Sequence, residues 1–201
     1  MEENTLSWKK QQKQNLKDTL LQSTLNLFEL NGINDTSVED IVKLTGVAKG
    51  TFYLYFSSKN AIISEVLADG ISKLEEKALA SQEQQSISNS FINLIENFIS
   101  FYKENKWLIK LFLLNQAFDS EQVDLETRTN LKKRYNAVTL GIIEKLLRKG
   151  MLQSIYHETD PLITSKILYG GIKEIVIASV VDGEEIIVKD VVSILEKGIR
   201  R

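Results

Sequence analysis

The chain has 201 residues, 43% of them hydrophobic, enough for a small domain joined to a larger one with a sizeable core. It contains no cysteine, which excludes disulfides, thiolate metal sites and a thiol nucleophile together and fits a reducing compartment. A formal charge of −2 and a pI near 5.6 exclude a protein that coats nucleic acid through bulk charge.

Local charge is another matter. Residues 1 to 60 carry seven lysines (9, 10, 13, 17, 43, 49, 59) and seven acids (2, 3, 18, 29, 35, 39, 40), a sum of zero. Any basic patch there must come from geometry. The opening residues lack the basic region and apolar core of an export signal, and no run of about 18 uncharged apolar residues follows. A cytoplasmic protein with no membrane partner is expected.

A single proline, Pro161, and sparse glycines suit an all-helical chain. Leu16, Leu20, Leu21, Leu27 and Phe28 recur at helical spacing and predict a helix from about 11 to 31, closed at Asn31-Gly32. Thr36-Ser37-Val38-Glu39 reads as a capping box, with the threonine hydroxyl and the glutamate three residues on satisfying each other's backbone donors. A short helix with Val38, Ile41 and Val42 inward follows and stops at Thr45-Gly46-Val47, where glycine takes the left-handed cap. Helix, tight glycine turn, helix is the outline of a helix-turn-helix, here about 37–56.

The next run, AKGTFYLYFSSKN (48–60), has strand-like composition, but a helix starting near Ala48 resolves it into two faces. Phe52 and Phe56 point inward. Lys49, Gly50, Thr51, Tyr53 and Leu54, with Tyr55 at the edge, present a cation, bare backbone, a hydroxyl and phenols to phosphates and base edges. Gly50 costs roughly 1 kcal/mol against alanine inside a helix, a cost that close approach to DNA explains.

Apolar spacing predicts further helices near 86–104 (Phe91, Leu94, Ile95, Phe98, Ile99, Tyr102) and 123–149 (Leu131, Tyr135, Val138, Ile142, Leu146). Asp160-Pro161 is a start signal for a largely apolar helix to about 181. Glu184 and Glu185 favour the positive end of a last helix carrying Val188, Val191, Val192, Leu195 and Ile199. Within this region IVIASVVDGEEIIV also reads as two β-branched runs around Asp-Gly, a hairpin signal. The helical pattern from Leu162 to Glu174 and again after Val188 favours helices.

The order LFELNGINDTSVEDIVKLTGVAKGTFYLYFSSKNAI (27–62) resembles the TetR family of bacterial transcriptional regulators. Phe28, Gly32, Thr36, Asp40-Ile41, Gly46-Val47, Lys49-Gly50-Thr51, Tyr53, Tyr55-Phe56 and Lys59 carry the likeness, which spans about 14–74. The resemblance implies a three-helix DNA-binding domain over 14–74 and a C-terminal helical domain over 75–201 for effector binding and dimerisation. It implies a homodimer on a palindromic double-stranded DNA operator, most simply a repressor released by a small-molecule effector. By position, Thr36 and Ser37 would meet phosphate, Lys49, Gly50 and Thr51 would open the recognition helix toward bases, Tyr53 and Tyr55 would bond phosphate or pack on sugar, and Lys59 would hold the backbone. The family usually has serine at position 48 to cap the recognition helix. Ala48 cannot, a loss of about 0.5–2 kcal/mol, which predicts a helix less ordered off DNA. With no arginine before Arg128, base preference falls to Lys49, Thr51 and Leu54, the last against a thymine methyl.

Other features have plainer readings beside functional ones. Trp107, Phe112, Phe118, Tyr135, Tyr156 and Tyr169 are candidates for an effector pocket, or simply core. Gly170-Gly171, with Ile175, Val191 and Leu195, suggests close helix crossing at a dimer interface, or a kink. His157, the single histidine, has no second histidine or cysteine to complete a metal site, and the Lys132-Lys133-Arg134 run is a solvated face. GVAKGT lacks the spacing of a phosphate-binding loop, so no cofactor is expected. Adjacent Glu75 and Glu76 diverge on a helix, and no catalytic cluster emerges. The competing class is a helical small-molecule-binding or interaction protein without DNA binding.

Overall fold

The computed structural model describes residues 2–80, 86–113 and 123–201, and every regular element among them is helical. Its α-helices are α1 (Glu2–Asn31), α2 (Val38–Thr45), α3 (Lys49–Tyr53), α4 (Lys59–Leu79), α5 (Ile87–Glu104), α6 (Leu125–Leu152), α7 (Pro161–Ile177) and α8 (Val188–Lys197). π-helical turns occupy Ile109–Leu113 and Ala178–Asp182. Two compact units result: Met1–Asp69 with Ser120–Thr127, and Gly70–Asp119 with Arg128–Arg201, in their described parts. The division at 69/70 and the expected one at 74/75 both fall within α4.

In the first unit, α1 begins about nine residues before the expected start. Its opening turns lack apolar periodicity but also any helix breaker, so the apolar pattern did not mark them. Leu20, Leu25, Leu27 and Phe28 of α1 are buried, as are Val38 and Ile41 of α2, Phe52 of α3 with Phe56 beyond it, and Ile62, Ile63, Val66 and Leu67 of α4.

The cap of α2 differs from the sequence reading by one residue. Ser37, not Thr36, is the N-cap, and its reciprocal partner is Asp40, not Glu39. The Asp40 amide donates to Ser37 Oγ at 3.1 Å, and the Ser37 amide donates to Asp40 Oδ2 at 2.9 Å. The Thr36 hydroxyl is instead buried and donates to the Gly32 carbonyl at 2.8 Å, tying α2 to the end of α1. Both readings fit the Thr-Ser-x-x pattern; packing of Thr36 decides between them.

The second unit buries one face of α5 (Phe91, Leu94, Ile95, Phe98, Tyr102) with Leu131, Tyr135, Val138, Ile142 and Leu146 of α6 and Leu168, Ile172 and Val176 of α7. Asp160 caps α7, accepting from the Leu162 and Ile163 amides at 2.9 and 3.0 Å with Pro161 in the first turn. The helix-or-hairpin ambiguity resolves to helix: the chain stays helical through Asp182 and stops at Gly183, left-handed at φ 74°. Glu184 and Glu185 lie in the loop before α8, and Asp190 is the acid in its first turn.

Tyr156 is hydrogen-bonded to α8. Fully buried, it donates to Glu196 Oε1 at 2.5 Å, and Ser88 donates to the same carboxylate at 2.7 and 2.9 Å. Backbone bonds from the His157 amide to the Ile199 carbonyl (2.8 Å) and from the Arg201 amide to the Ile155 carbonyl (3.0 Å) complete this staple of the chain end against the α6–α7 loop. His157 is exposed in that loop.

Candidate nucleic-acid interface

The first unit positions a reading edge by one glycine and two phenylalanines. Gly46 is left-handed at φ 71°, a conformation costly for other residues, and its amide donates to the Val42 carbonyl to end α2. The chain then turns into α3, whose Phe52 ring packs 5.7 Å from Phe56. With these two rings inside, Lys49, Gly50, Tyr53 and Leu54 face solvent, and Thr51 and Tyr55 are half-buried along the same edge. Leu54 is 77% exposed, an apolar side chain largely in water. A Cβ on Gly50 would meet nothing within 4 Å, so no internal packing requires glycine there.

Ala48 occupies the N-cap in extended backbone (φ −69°, ψ 147°) and gives α3 no side-chain cap. The Thr51 and Phe52 amides turn to the Ala48 carbonyl, at 2.8 and 3.3 Å, and α3 closes after five residues.

The predicted DNA contacts separate into two groups. Lys49, Gly50, Thr51, Tyr53 and Tyr55 share the edge of α3. Thr36 lies inside, 1% exposed, with its hydroxyl donating to the Gly32 carbonyl. Ser37 is half-buried, with Oγ donating to Asp40 Oδ2 at 2.6 Å. Its hydroxyl is engaged by the cap, and that bond holds the Asp40 carboxyl below its ordinary range. Lys59, at the start of α4, donates to the Asn34 carbonyl at 3.3 Å. Burial of its ammonium lowers the Lys59 pKa, with Asp35 and Asp40 acting in the opposite sense. Sequence reasoning missed Glu39, whose carboxylate pairs with Lys49. Its signal was spent on the capping box.

In the second unit, three phenols form a hydrogen-bonded chain: Tyr102 to Tyr135 at 3.1 Å and Tyr135 to Tyr169 at 2.5 Å. Burial raises all three pKa values well above 10, so the chain stays neutral and presents hydroxyls rather than charge. Phe112 packs on Tyr135 with ring centroids 5.0 Å apart, and Trp107 is half-buried on the segment leading to it. Phe118 lies outside the described residues. Open grooves beside α5 and α8, one bordered by Ile99, Lys103 and Glu184 and another by Ser88, Lys189 and Arg200, involve none of these aromatics.

Gly170 and Gly171 have different surroundings. A Cβ on Gly171 would lie 3.7 Å from Leu195 of the same chain, whereas Gly170 faces open space. Ile163 and Ile167 of α7 and Ile194 of α8 are exposed, while Ile175, Val191 and Leu195 are half-buried. The Arg134 guanidinium meets Ser72 at 2.7 Å and Glu75 at 3.6 Å. No helix among the described residues is long and apolar enough to cross a membrane.

The family described as bacterial regulatory proteins, tetR family, matches residues 20–66, from mid-α1 into α4. The uncharacterized HTH-type transcriptional regulator YdgC of Bacillus subtilis is 30% identical over 162 residues, covering 77% of this chain and 82% of the relative. Among solved structures, the TetR family transcriptional regulator PfmR from Thermus thermophilus superposes with a TM-score of 0.71 at 19% identity, over 90% of this chain and 99% of that one. FadR from Bacillus subtilis, solved in complex with stearoyl-CoA, has a TM-score of 0.71 at 22% identity, over 89% and 95%. At those identities the two structures speak for the fold alone.

Proposed function

The chain belongs to the TetR family and is a DNA-binding transcriptional regulator, and from that premise we propose that it acts as a homodimeric repressor, released from a palindromic operator by a small-molecule effector. The observation that carries the reading is the α3 edge: Lys49, Gly50, Thr51, Tyr53 and Leu54 held outward by Phe52 and Phe56, with Lys59 following. Such an edge offers a cation, a close backbone and phenols to one groove, with Lys59 on the flanking phosphates. Residues 14–74 then form the DNA-binding domain and 75–201 the regulatory one.

Exposed Ile163 and Ile167 on α7 and Ile194 on α8, with Gly170 open to space, support pairing of two copies through α7 and α8. The effector reading rests on the aromatic core around Tyr135 and on FadR, solved with stearoyl-CoA. It makes a long-chain acyl thioester the first compound to try. Binding would shift a population between two separations of the recognition helices.

The test is binding to a duplex selected from a random library and to a scrambled duplex, across a range of salt. The selected duplex should bind far more tightly, and Lys59→Ala should weaken both and flatten the salt slope by about one unit. Equal weak affinity for every duplex would favour a helical ligand-binding protein without DNA recognition.

A further inference from the structure

Lys49 is the one charged residue of α3, and it is held by its own protein. Its ammonium donates to Glu39 Oε1 of α2. Glu39 has no part in the cap of its helix, which Ser37 and Asp40 complete, and it is exposed rather than packed. Each partner feels the other first: the Lys49 hydrogen bond lowers the Glu39 pKa, and the Glu39 hydrogen bond raises that of Lys49.

Glu39 lies in the first turn of α2, where an acid suits the helix terminus, yet a carboxylate beside a surface that must meet a polyanion also works against binding. On DNA of random sequence, a free lysine neutralises a phosphate whatever the bases are, and this sequence-blind term dominates non-specific affinity. A lysine already paired gains little from a phosphate, because it must surrender a carboxylate to take one. It gains more where a guanine edge offers acceptors aligned with its approach. Discrimination is a difference of affinities, and withholding a cation from the wrong partner widens it.

We propose that Glu39 is a specificity-determining residue, which holds Lys49 away from phosphate on random DNA and yields it where operator bases replace the carboxylate. The proposal rests on the DNA-binding reading and concerns how that binding is made selective.

The test uses the full chain and three variants, Glu39→Gln, Lys49→Gln and the double variant, on the selected and scrambled duplexes described above. Glu39→Gln keeps the side-chain shape at an exposed position, and an unchanged circular dichroism spectrum and unfolding midpoint check the fold. The expected result is tighter binding of the scrambled duplex, about tenfold at 0.1 M salt, with a slope steeper by about one unit. The selected duplex should gain less, so the ratio between the two falls several-fold. In the Lys49→Gln background, the effect of Glu39→Gln should disappear.

Two results would overturn the proposal while leaving DNA recognition intact: an unchanged ratio and slope in Glu39→Gln, or an effect that persists without Lys49 and so reflects bulk charge. Failure of the wild-type chain to distinguish the two duplexes would instead remove the DNA-binding reading and the proposal together.

Discussion

Ala48→Ser should order the recognition helix. The backbone at position 48 already has N-cap geometry, φ −69° and ψ 147°, and the residue is exposed, so a hydroxyl can be added without moving anything. Its oxygen would accept from the Gly50 or Thr51 amide, donors that the first turn of a helix otherwise leaves to water or to strained alternatives. An N-cap serine in place of alanine contributes about 0.5–2 kcal/mol. The Thr51 amide already has the Ala48 carbonyl at 2.8 Å, which places the expected gain in the lower half of that range. At about 0.5–1 kcal/mol, exchange of the α3 amides with deuterium should slow roughly two- to fivefold, as the relation between free energy and equilibrium constants requires. Operator affinity should rise by no more than the same factor, since the gain is ordering no longer spent on binding. Amide exchange read by NMR, with the fold checked by circular dichroism, decides the matter. Unchanged or faster exchange at Gly50 and Thr51 would show that α3 is not limited by its missing cap.

Gly150→Ala should destabilise the second unit by about 1–3 kcal/mol through overpacking, because the new Cβ would fall within 2.5 Å of Cε2 of the buried Tyr156 ring. The ring's hydroxyl is fixed on Glu196, so it cannot swing aside; an unchanged urea midpoint would mean the staple yields more easily than its bonds suggest. Alkaline pH should act through the phenols. Burial raises the pKa values of Tyr102, Tyr135, Tyr156 and Tyr169 in the folded chain, whereas unfolded tyrosine ionises near 10. Their contribution is therefore complete below about pH 10 and declines as pH rises above it, when only the unfolded chain gives up protons. Titration followed by phenolate absorbance should show these four ionising together with unfolding, and their ionisation in a still-folded protein would contradict the burial argument.

The helical class and the positions of most helices were legible along the chain because they rest on local physics, and the family was legible through the resemblance of residues 27–62. Apolar spacing marked α5 and α6 within about three residues, Asp160-Pro161 marked α7, and Gly46 marked the turn that makes Phe52 and Phe56 internal. Periodicity is a record of which side meets the core, and it survives without knowing what the core is. The first turns of α1, which show no such face, were accordingly invisible.

Three-dimensional packing decided what local pattern left degenerate. Thr36-Ser37-Val38-Glu39 and Ser37-Val38-Glu39-Asp40 both allow a capping box, and burial of Thr36 over the Gly32 carbonyl selects the second. That choice frees Glu39, ten positions from Lys49, to meet it across the turn, a pairing with no signature along the chain. Tyr156, a candidate pocket wall by composition, is committed to Glu196 forty residues away. Sequence alone determined most of the helices and which edge of α3 faces outward, since a helix and its amphipathic face are set by neighbours within a few residues. Which polar groups are spent inside the fold, and which remain for DNA, depends on partners distant in the chain, and only the tertiary structure brings those together.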